Sequence, residues 1–342
     1  MMRPFRAFVL PALILIGCTA NGDGGTAAQP SAEAQAGRPF RVEALARFEE
    51  PWAMTFLPGG REALVTEQGG RLKLWAADGG AVRDVAGVPA VDYGGQGGLG
   101  DVALHPDFPA NRLVYLSYVE AGEGNDRGAA VGRGRLVIAD GRGRIEGFQT
   151  IWRQQPKLSG RGHYGHRLLF SPDGRYLFIS SGERQEFTPA QDMNANLGKL
   201  VRLNADGSVP ANNPFAARGG VAAQIWTLGH RNPLGIAFDG EARLWEIEMG
   251  PAGGDELNLI EPGRNYGYPI VSNGDHYDGR PIPDHPTRPE FAAPAVSWTP
   301  VISPGDMIVY SGSLFPQWRG DILVAGLSSK ALVRVDLDGA NA

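Results

Sequence analysis

One cysteine, Cys18, stands among 342 residues, so no disulfide can form within the chain. A basic excess is also missing. Lys and Arg number 32 against 37 Asp and Glu, the net charge is −5, and no five like charges run together, which argues against a nucleic-acid partner. Past residue 40 no stretch keeps a helical apolar period for several turns, and the best helical candidate, Val42 to Phe48, is too short to convince. No Cys or His cluster has zinc spacing. No Gly-x-Gly-x-x-Gly opens a helix, which disfavours a nicotinamide enzyme. The apolar run from Ala7 to Ile16 is too short for a comfortable membrane span.

What is present begins with that same run. Arg3 and Arg6 precede it and Leu15-Ile16-Gly17-Cys18 ends it, the pattern of a bacterial lipoprotein signal whose cysteine becomes the lipidated N-terminus; an ordinary signal peptide cut near Ala20 is the rival reading. Residues 1–17 are therefore expected to be a lipoprotein signal peptide. Residues 18–39, rich in Gly, Ala, Ser, Gln and Pro, are expected to form a flexible tether. The mature protein is expected to be exported to the periplasm, with Cys18 as its only membrane attachment, to the outer membrane.

Gly (49) and Pro (26) together with a hydrophobic content of 42% describe many short strands joined by turns around a sizeable core. One unit recurs: a short apolar strand, a Pro/Asp/Gly turn and a second strand ending in small or polar residues. It appears at Pro51 to Glu67, Gly98 to Tyr118, His163 to Gly182, Pro233 to Glu248 and Gly305 to Gly326. Between copies there is room for two more strands, for example Gly134 to Ala139 with Ile145 to Trp152, and Lys199 to Leu203 with Gln224 to Leu228. Four strands per unit suggest the blades of an all-β propeller over residues 40–342, with a β-sandwich as the alternative. In a propeller the innermost strands converge on one axis, so loops distant in sequence can share a site.

Pooling the loops at equivalent blade positions gives Gln96, His163, Glu183, Arg231, Asn232, Gly250, Pro251, Asp255, Glu256 and Trp298. Each admits a purely structural explanation. Together they supply an imidazole base, a carboxylate to orient it, a fixed cation, a carboxamide and backbone carbonyls exposed by Gly and Pro. Carbonyl and carboxylate oxygens suit Ca²⁺, and an arginine beside a metal suits stabilisation of developing negative charge.

Trp52 to Glu67, Gly95 to Phe108, His163 to Glu183, Ala190 to Leu203, Gln224 to Gly235 and Gly250 to Pro269, taken in order, resemble the soluble aldose sugar dehydrogenases that use pyrroloquinoline quinone. The resemblance implies a six-bladed β-propeller with the quinone and Ca²⁺ on the axial face. It implies that His163 takes the proton of the sugar's anomeric hydroxyl while hydride passes to the quinone, with Glu183 supporting the histidine. Arg231 would neutralise charge on the reduced cofactor, Asn232 would contact it, and Gln96 would face the substrate beside it. Gly250 and Pro251 would give main-chain carbonyls to the catalytic Ca²⁺. Asp255, Glu256 and Tyr266 would belong to a second, structural calcium region, and Trp298 would wall the pocket.

The family's fifth-blade lysine aligns with Ser328, and Lys330 is the neighbour able to replace it; Pro300 stands where some relatives offer a hydroxyl or carboxylate. Relatives continue past the position of Ala342, so a C-terminally truncated chain with an incomplete sixth blade is expected. The function expected is quinone- and calcium-dependent oxidation of aldoses at C1 to lactones, with an electron acceptor of unknown identity. A calcium-dependent propeller lactonase and a non-catalytic sugar-binding propeller are the alternatives.

Overall fold

The computed structural model describes residues 39–77 and 80–342. The expected signal peptide, and all but the last residue of the expected tether, lie outside the described residues. The described residues fall into two units, 39–47 and 48–342. The described part of the first, residues 39–47, forms no helix or strand.

The second unit is built almost wholly of strands. Its first four are β1 (Pro51–Phe56), β2 (Glu62–Glu67), β3 (Arg71–Ala76) and β4 (Val82–Ala86). Next come β5 (Leu99–Leu104), β6 (Leu113–Ala121), β7 (Arg127–Ala139) and β8 (Arg142–Arg153). Then follow β9 (Gly165–Phe170), β10 (Tyr176–Ser181), β11 (Lys199–Asn204) and β12 (Ile225–Leu228). The fourth group is β13 (Pro233–Phe238), β14 (Leu244–Glu248), β15 (Asp255–Ile260) and β16 (Val296–Trp298), and the last is β17 (Pro304–Val309), β18 (Ile322–Gly326) and β19 (Ala331–Val335). Each group is an antiparallel meander, four-stranded except for the three-stranded last one. These are the blades of a β-propeller.

The first two blades share one eight-stranded sheet. Their outermost strands, β4 and β8, pair in parallel through Val85 with Gly143 and Ala86 with Arg144. This joint occupies two edges that would otherwise present free backbone groups.

Strand periodicity explains the core. Successive side chains point to opposite faces, so each middle strand feeds two layers. Val114 and Leu116 pack with Leu64 and Leu74 of the first blade. Tyr115, between them, packs with Leu177, Ile179 and Val201 of the third. Phe178 and Leu200 turn the other way, toward Ile236 and Leu244 of the fourth, while Trp245, Ile247 and Leu257 meet Met307 and Val324 of the fifth. The core is thus a series of layers between neighbouring blades.

Polar stitches cross these layers near the axis. Asp101 on β5 accepts the amide of Leu168 on β9 at 2.8 Å. Arg167 on β9 donates to Leu234 O on β13 at 2.6 Å and to Gly305 O on β17 at 2.7 Å, and its guanidinium lies 3.9 Å over the Trp52 ring on β1. One arginine therefore touches three other inner strands. Around it lies an axial cavity of about 470 Å³, lined by Trp52, Gln96, His166, Arg167, Leu234 and Asp306 among others.

Candidate active site

His163 sits in the loop that enters β9, at φ 48°, a conformation uncommon outside glycine. Three neighbours over-determine it. Its amide donates to Gln96 Oε1 at 2.7 Å, its carbonyl accepts the Arg184 amide at 3.2 Å, and its ring Nδ1 lies 2.5 Å from Glu183 Oε1. Gly182 is required at this crossing, because a Cβ there would stand 2.2 Å from the His163 carbonyl oxygen.

Glu183 is itself tied down. Its second oxygen accepts the Phe187 amide at 2.7 Å, and its own amide donates to Arg231 O at 2.8 Å. An ionised carboxylate against Nδ1 makes that nitrogen the donor, so the lone pair of the neutral ring is on Nε2. Burial is the largest influence on His163 and lowers its pKa from the ordinary 6.5. The charges of Arg231 and Arg184 push the same way, and Glu183 opposes them. The result is a neutral imidazole with Nδ1 clamped and Nε2 available, the state a general base requires.

The ring opens on a cavity of about 250 Å³ that Arg231, Pro251, Tyr268, Phe187 and Tyr277 also line. Arg231 is positioned by Glu248, which accepts the amides of both Arg231 and Asn232, at 2.5 and 3.1 Å. Its Nη1 donates to the carbonyls of Met249 and Gly250 at 2.9 and 2.7 Å, and its Nη2 lies 3.3 Å from the Tyr277 hydroxyl. Asn232 accepts the Gly165 amide through Oδ1 at 3.2 Å. Two donors remain: Arg231 Nε and Asn232 Nδ2 are buried without partners among the described residues. Buried unpaired donors are costly in isolation, and here they suit an acceptor-rich ligand. His163, Glu183, Arg231 and Asn232 are therefore brought together as the sequence implied, with Gly250 and Pro251 beside them.

Three expected residues stand elsewhere. Trp298 pairs with Asp255 in the β15–β16 ladder and is half-buried against the layer containing Ile247, Leu257 and Met307, and it lines neither the cavity at His163 nor the axial one. Lys330 is exposed in the turn between β18 and β19 and lines neither the cavity at His163 nor the axial one. Gln96 serves the backbone of His163 and lines the axial cavity.

The residues expected to ligate a second metal divide. Asp255 spends Oδ1 on the Gly250 amide at 2.9 Å and Oδ2 on the amides of Ile302 and Ser303 at 2.8 and 2.7 Å. It is a loop clamp. The Tyr266 hydroxyl donates to Leu259 O at 2.6 Å, and its ring stacks on His230 at 4.8 Å. Glu256 is different: it is buried, its Oε1 makes no well-formed hydrogen bond although His285 Nε2 lies 3.4 Å away, and burial raises its pKa.

Around Glu256 lies a cluster that the sequence reading passed over. Glu246 and Glu248 on β14 face Asn258 and Glu256 on β15 in register, with His230 Nδ1 3.2 Å from Glu248 Oε1. Ligand atoms of His230, Glu246 and Glu248 all lie within 4.8 Å of one another. Burial and the Glu248 charge push the Glu246 carboxyl well up. Glu246 Oε1, Glu256 Oε1 and Asn258 Oδ1 are all buried acceptors without a well-formed hydrogen bond. The sequence carries only a weak trace of it, Glu246-x-Glu248 and Glu256-x-Asn258, polar residues at period two that each strand alone could show on a solvated face.

Comparison with known proteins identifies the family. Residues 48–342 match the family model Glucose / Sorbosone dehydrogenase. Aldose sugar dehydrogenase YliI of Escherichia coli is 40% identical over 298 residues, 86% of this chain and 79% of that protein. A crystal structure of a glucose dehydrogenase is 44% identical with a TM-score of 0.81, covering 86% of this chain and 85% of that one. The pyrroloquinoline quinone-bound aldose sugar dehydrogenase of Streptomyces coelicolor is 28% identical with a TM-score of 0.71, covering 88% and 81%. The chain belongs to the glucose/sorbosone dehydrogenase family of oxidoreductases.

Proposed function

We propose that this protein oxidises aldoses at C1 to the corresponding lactones, using pyrroloquinoline quinone and Ca²⁺. The observation that carries the reading is the clamped His163–Glu183 pair opening on the same cavity as Arg231. His163 Nε2 is placed to accept the proton of the anomeric hydroxyl, and Glu183 stabilises the imidazolium that results. The quinone supplies the two-electron acceptor for the hydride that leaves C1. Arg231 Nε and Asn232 Nδ2, the two unpaired donors, fit its carbonyl and carboxylate oxygens.

The Gly250 carbonyl accepts from the Arg231 guanidinium, and that oxygen beside a positive charge supports reading it as a cation ligand. Gly250 and Pro251 would hold a Ca²⁺ there, which would polarise the quinone. The structural Ca²⁺ expected near Glu256 would find its donors in Glu246, Glu248, Glu256 and Asn258, since Glu246 Oε1 and Asn258 Oδ1 are buried acceptors without donors and Glu256 Oε1 faces only His285 Nε2, at 3.4 Å. We extend the proposal to export, on the strength of Arg3, Arg6 and the Leu15 to Cys18 pattern.

The test is a titration of chelator-stripped protein with pyrroloquinoline quinone, with and without Ca²⁺, followed by addition of D-glucose and D-xylose. Ca²⁺-dependent binding and sugar-driven bleaching of the oxidised quinone spectrum are expected. Absence of quinone binding in the presence of Ca²⁺ would overturn the reading.

A further inference from the structure

We infer that Phe187 is the platform on which the pyranose ring of the substrate lies, and so a determinant of which sugar is accepted; this rests on the aldose reading above. Phe187 stands just past β10 at φ 59° and ψ −74°, with the Thr188 amide donating back to Glu186 O at 2.7 Å. A hydrogen bond spanning a single residue at positive φ is a γ-turn of the rare, strained kind. For a bulky aromatic this is a true conformational outlier, and strain of this sort persists where surrounding structure enforces it for function.

What enforces it is the carboxylate that orients His163. Glu183 holds the Phe187 amide with one oxygen and His163 Nδ1 with the other. A single side chain thus sets both the base and the ring beside it. The ring is not there to fill the core. It is 43% exposed, lines the cavity with His163 and Arg231, and is steadied edge-on by His276 at 5.6 Å and near-parallel by Tyr268 at 6.3 Å.

The chemistry fits a sugar. An aldopyranose has a rim of hydroxyls and a flat patch of C–H bonds; a rigid aromatic ring takes the patch at low conformational cost, while Gln185, Asp278 and Arg280 in the same cavity offer donors and acceptors for the rim. An open-chain polyol has no such patch.

The experiment uses the full chain loaded with pyrroloquinoline quinone and Ca²⁺, comparing the native protein with Phe187→Ala, Phe187→Leu and Phe187→Tyr. Steady-state kinetics on D-glucose and D-xylose are combined with a second readout, the sugar-induced rise in Tm of the quinone-free protein. Phe187→Ala and Phe187→Leu are expected to raise KM about tenfold with kcat within about threefold, and to shrink the Tm rise. Phe187→Tyr keeps the ring and should stay within about twofold of native KM. Unchanged KM in both ring-deleting variants would overturn the inference, as would loss of kcat at constant KM. A native protein that binds quinone yet turns over no aldose would overturn the underlying reading and this inference with it, whereas native turnover with unchanged variant KM removes this inference alone.

Discussion

Glu183→Gln is the perturbation that bears most directly on the site, because it keeps shape and removes only the ability to accept on both sides. The carboxylate accepts from His163 Nδ1 and from the Phe187 amide at once. A carboxamide has one acceptor and one donor end. If its oxygen stays with Phe187, its NH₂ faces His163 Nδ1, which must become an acceptor; the ring proton then moves to Nε2 and blocks the base. If the oxygen stays with His163, two N–H groups confront each other at Phe187, at a cost of about 1–3 kcal/mol for an unsatisfied buried donor. The first arrangement is thus favoured, and a base held in the wrong tautomer loses about 10²- to 10⁴-fold in kcat. The sign of the pH effect also follows. Glu183 raises the His163 pKa against burial, so its loss moves the acid limb of any residual kcat/KM to lower pH. Stopped-flow bleaching of the quinone spectrum from pH 4 to 9 would measure both effects. Activity within about threefold of native, with an unmoved acid limb, would refute the assignment of Glu183 as the orienting group.

The native acid limb should itself fall below 6.5, because burial lowers the His163 pKa from that value; a limb above 6.5 in kcat/KM would identify another group. Arg184 is buried and donates to the carbonyls of Gly162, Arg127 and Gly160 at 2.9, 2.7 and 2.7 Å, so Arg184→Met should free the His163 loop, lowering kcat about tenfold and Tm by several degrees, with Arg184→Lys recovering part of both. Chelation should destabilise through the cluster at Glu246 and Glu248. Restoring free Ca²⁺ to about 100–1,000 times its Kd would return about 3–4 kcal/mol in denaturant unfolding, and Glu246→Gln should abolish that response. Lys199→Met removes a buried ammonium that serves the carbonyls of Pro189, Ala190 and Leu197 at 2.7, 3.0 and 2.8 Å. About 2–4 kcal/mol of stability should go with it, read as a shift in urea midpoint at constant m.

The hairpin of β9 and β10 was legible because each strand reads in apolar residues and Pro172-Asp173-Gly174 punctuates them. In the structure Asp173 accepts the Ser171 hydroxyl at 2.6 Å and the Arg175 amide at 3.1 Å, closing the turn that the sequence names. The second blade was read too short. Its third and fourth strands were expected from Gly134 and Ile145, but β7 begins at Arg127 and β8 at Arg142. Gly128, Ala129, Ala130 and Gly132 have weak strand propensity, and tertiary packing overrides it: a Cβ on Gly132 would stand 2.4 Å from the Phe148 ring. Small residues there are a packing requirement. The parallel joint of β4 to β8 had no local signature, since nothing within either strand specifies a partner so far along the chain. His163 and Glu183 were readable as a pair because one short hairpin connects them. The acidic cluster was missed because each strand on its own resembles an ordinary half-polar one, and only the register of Glu246 with Asn258 and Glu248 with Glu256 puts four polar side chains together.

Residues 182–188 concentrate the local rules that this chain breaks. Arg184, Gln185 and Phe187 all have positive φ, at 65°, 65° and 59°, although none is Gly or Asn. An unconstrained loop of this composition would relax. Here Arg184 binds three carbonyls, and Glu183 binds one amide and one imidazole. The strain at Phe187, about 1–3 kcal/mol, is therefore offset by hydrogen bonds that also fix the base. This makes Phe187→Gly the discriminating substitution. Glycine adopts positive φ without steric cost, so relief of about 1–3 kcal/mol of strain is set against its unfolded-state entropy of about 0.5–1 kcal/mol and the lost ring contacts with Tyr268 and His276. If the segment is strained for function, the variant should stay within about 1 kcal/mol of native stability in denaturant unfolding while its KM for D-glucose rises. A variant that is both less stable and unchanged in KM would show that the ring is a structural plug and that the γ-turn is incidental to the site.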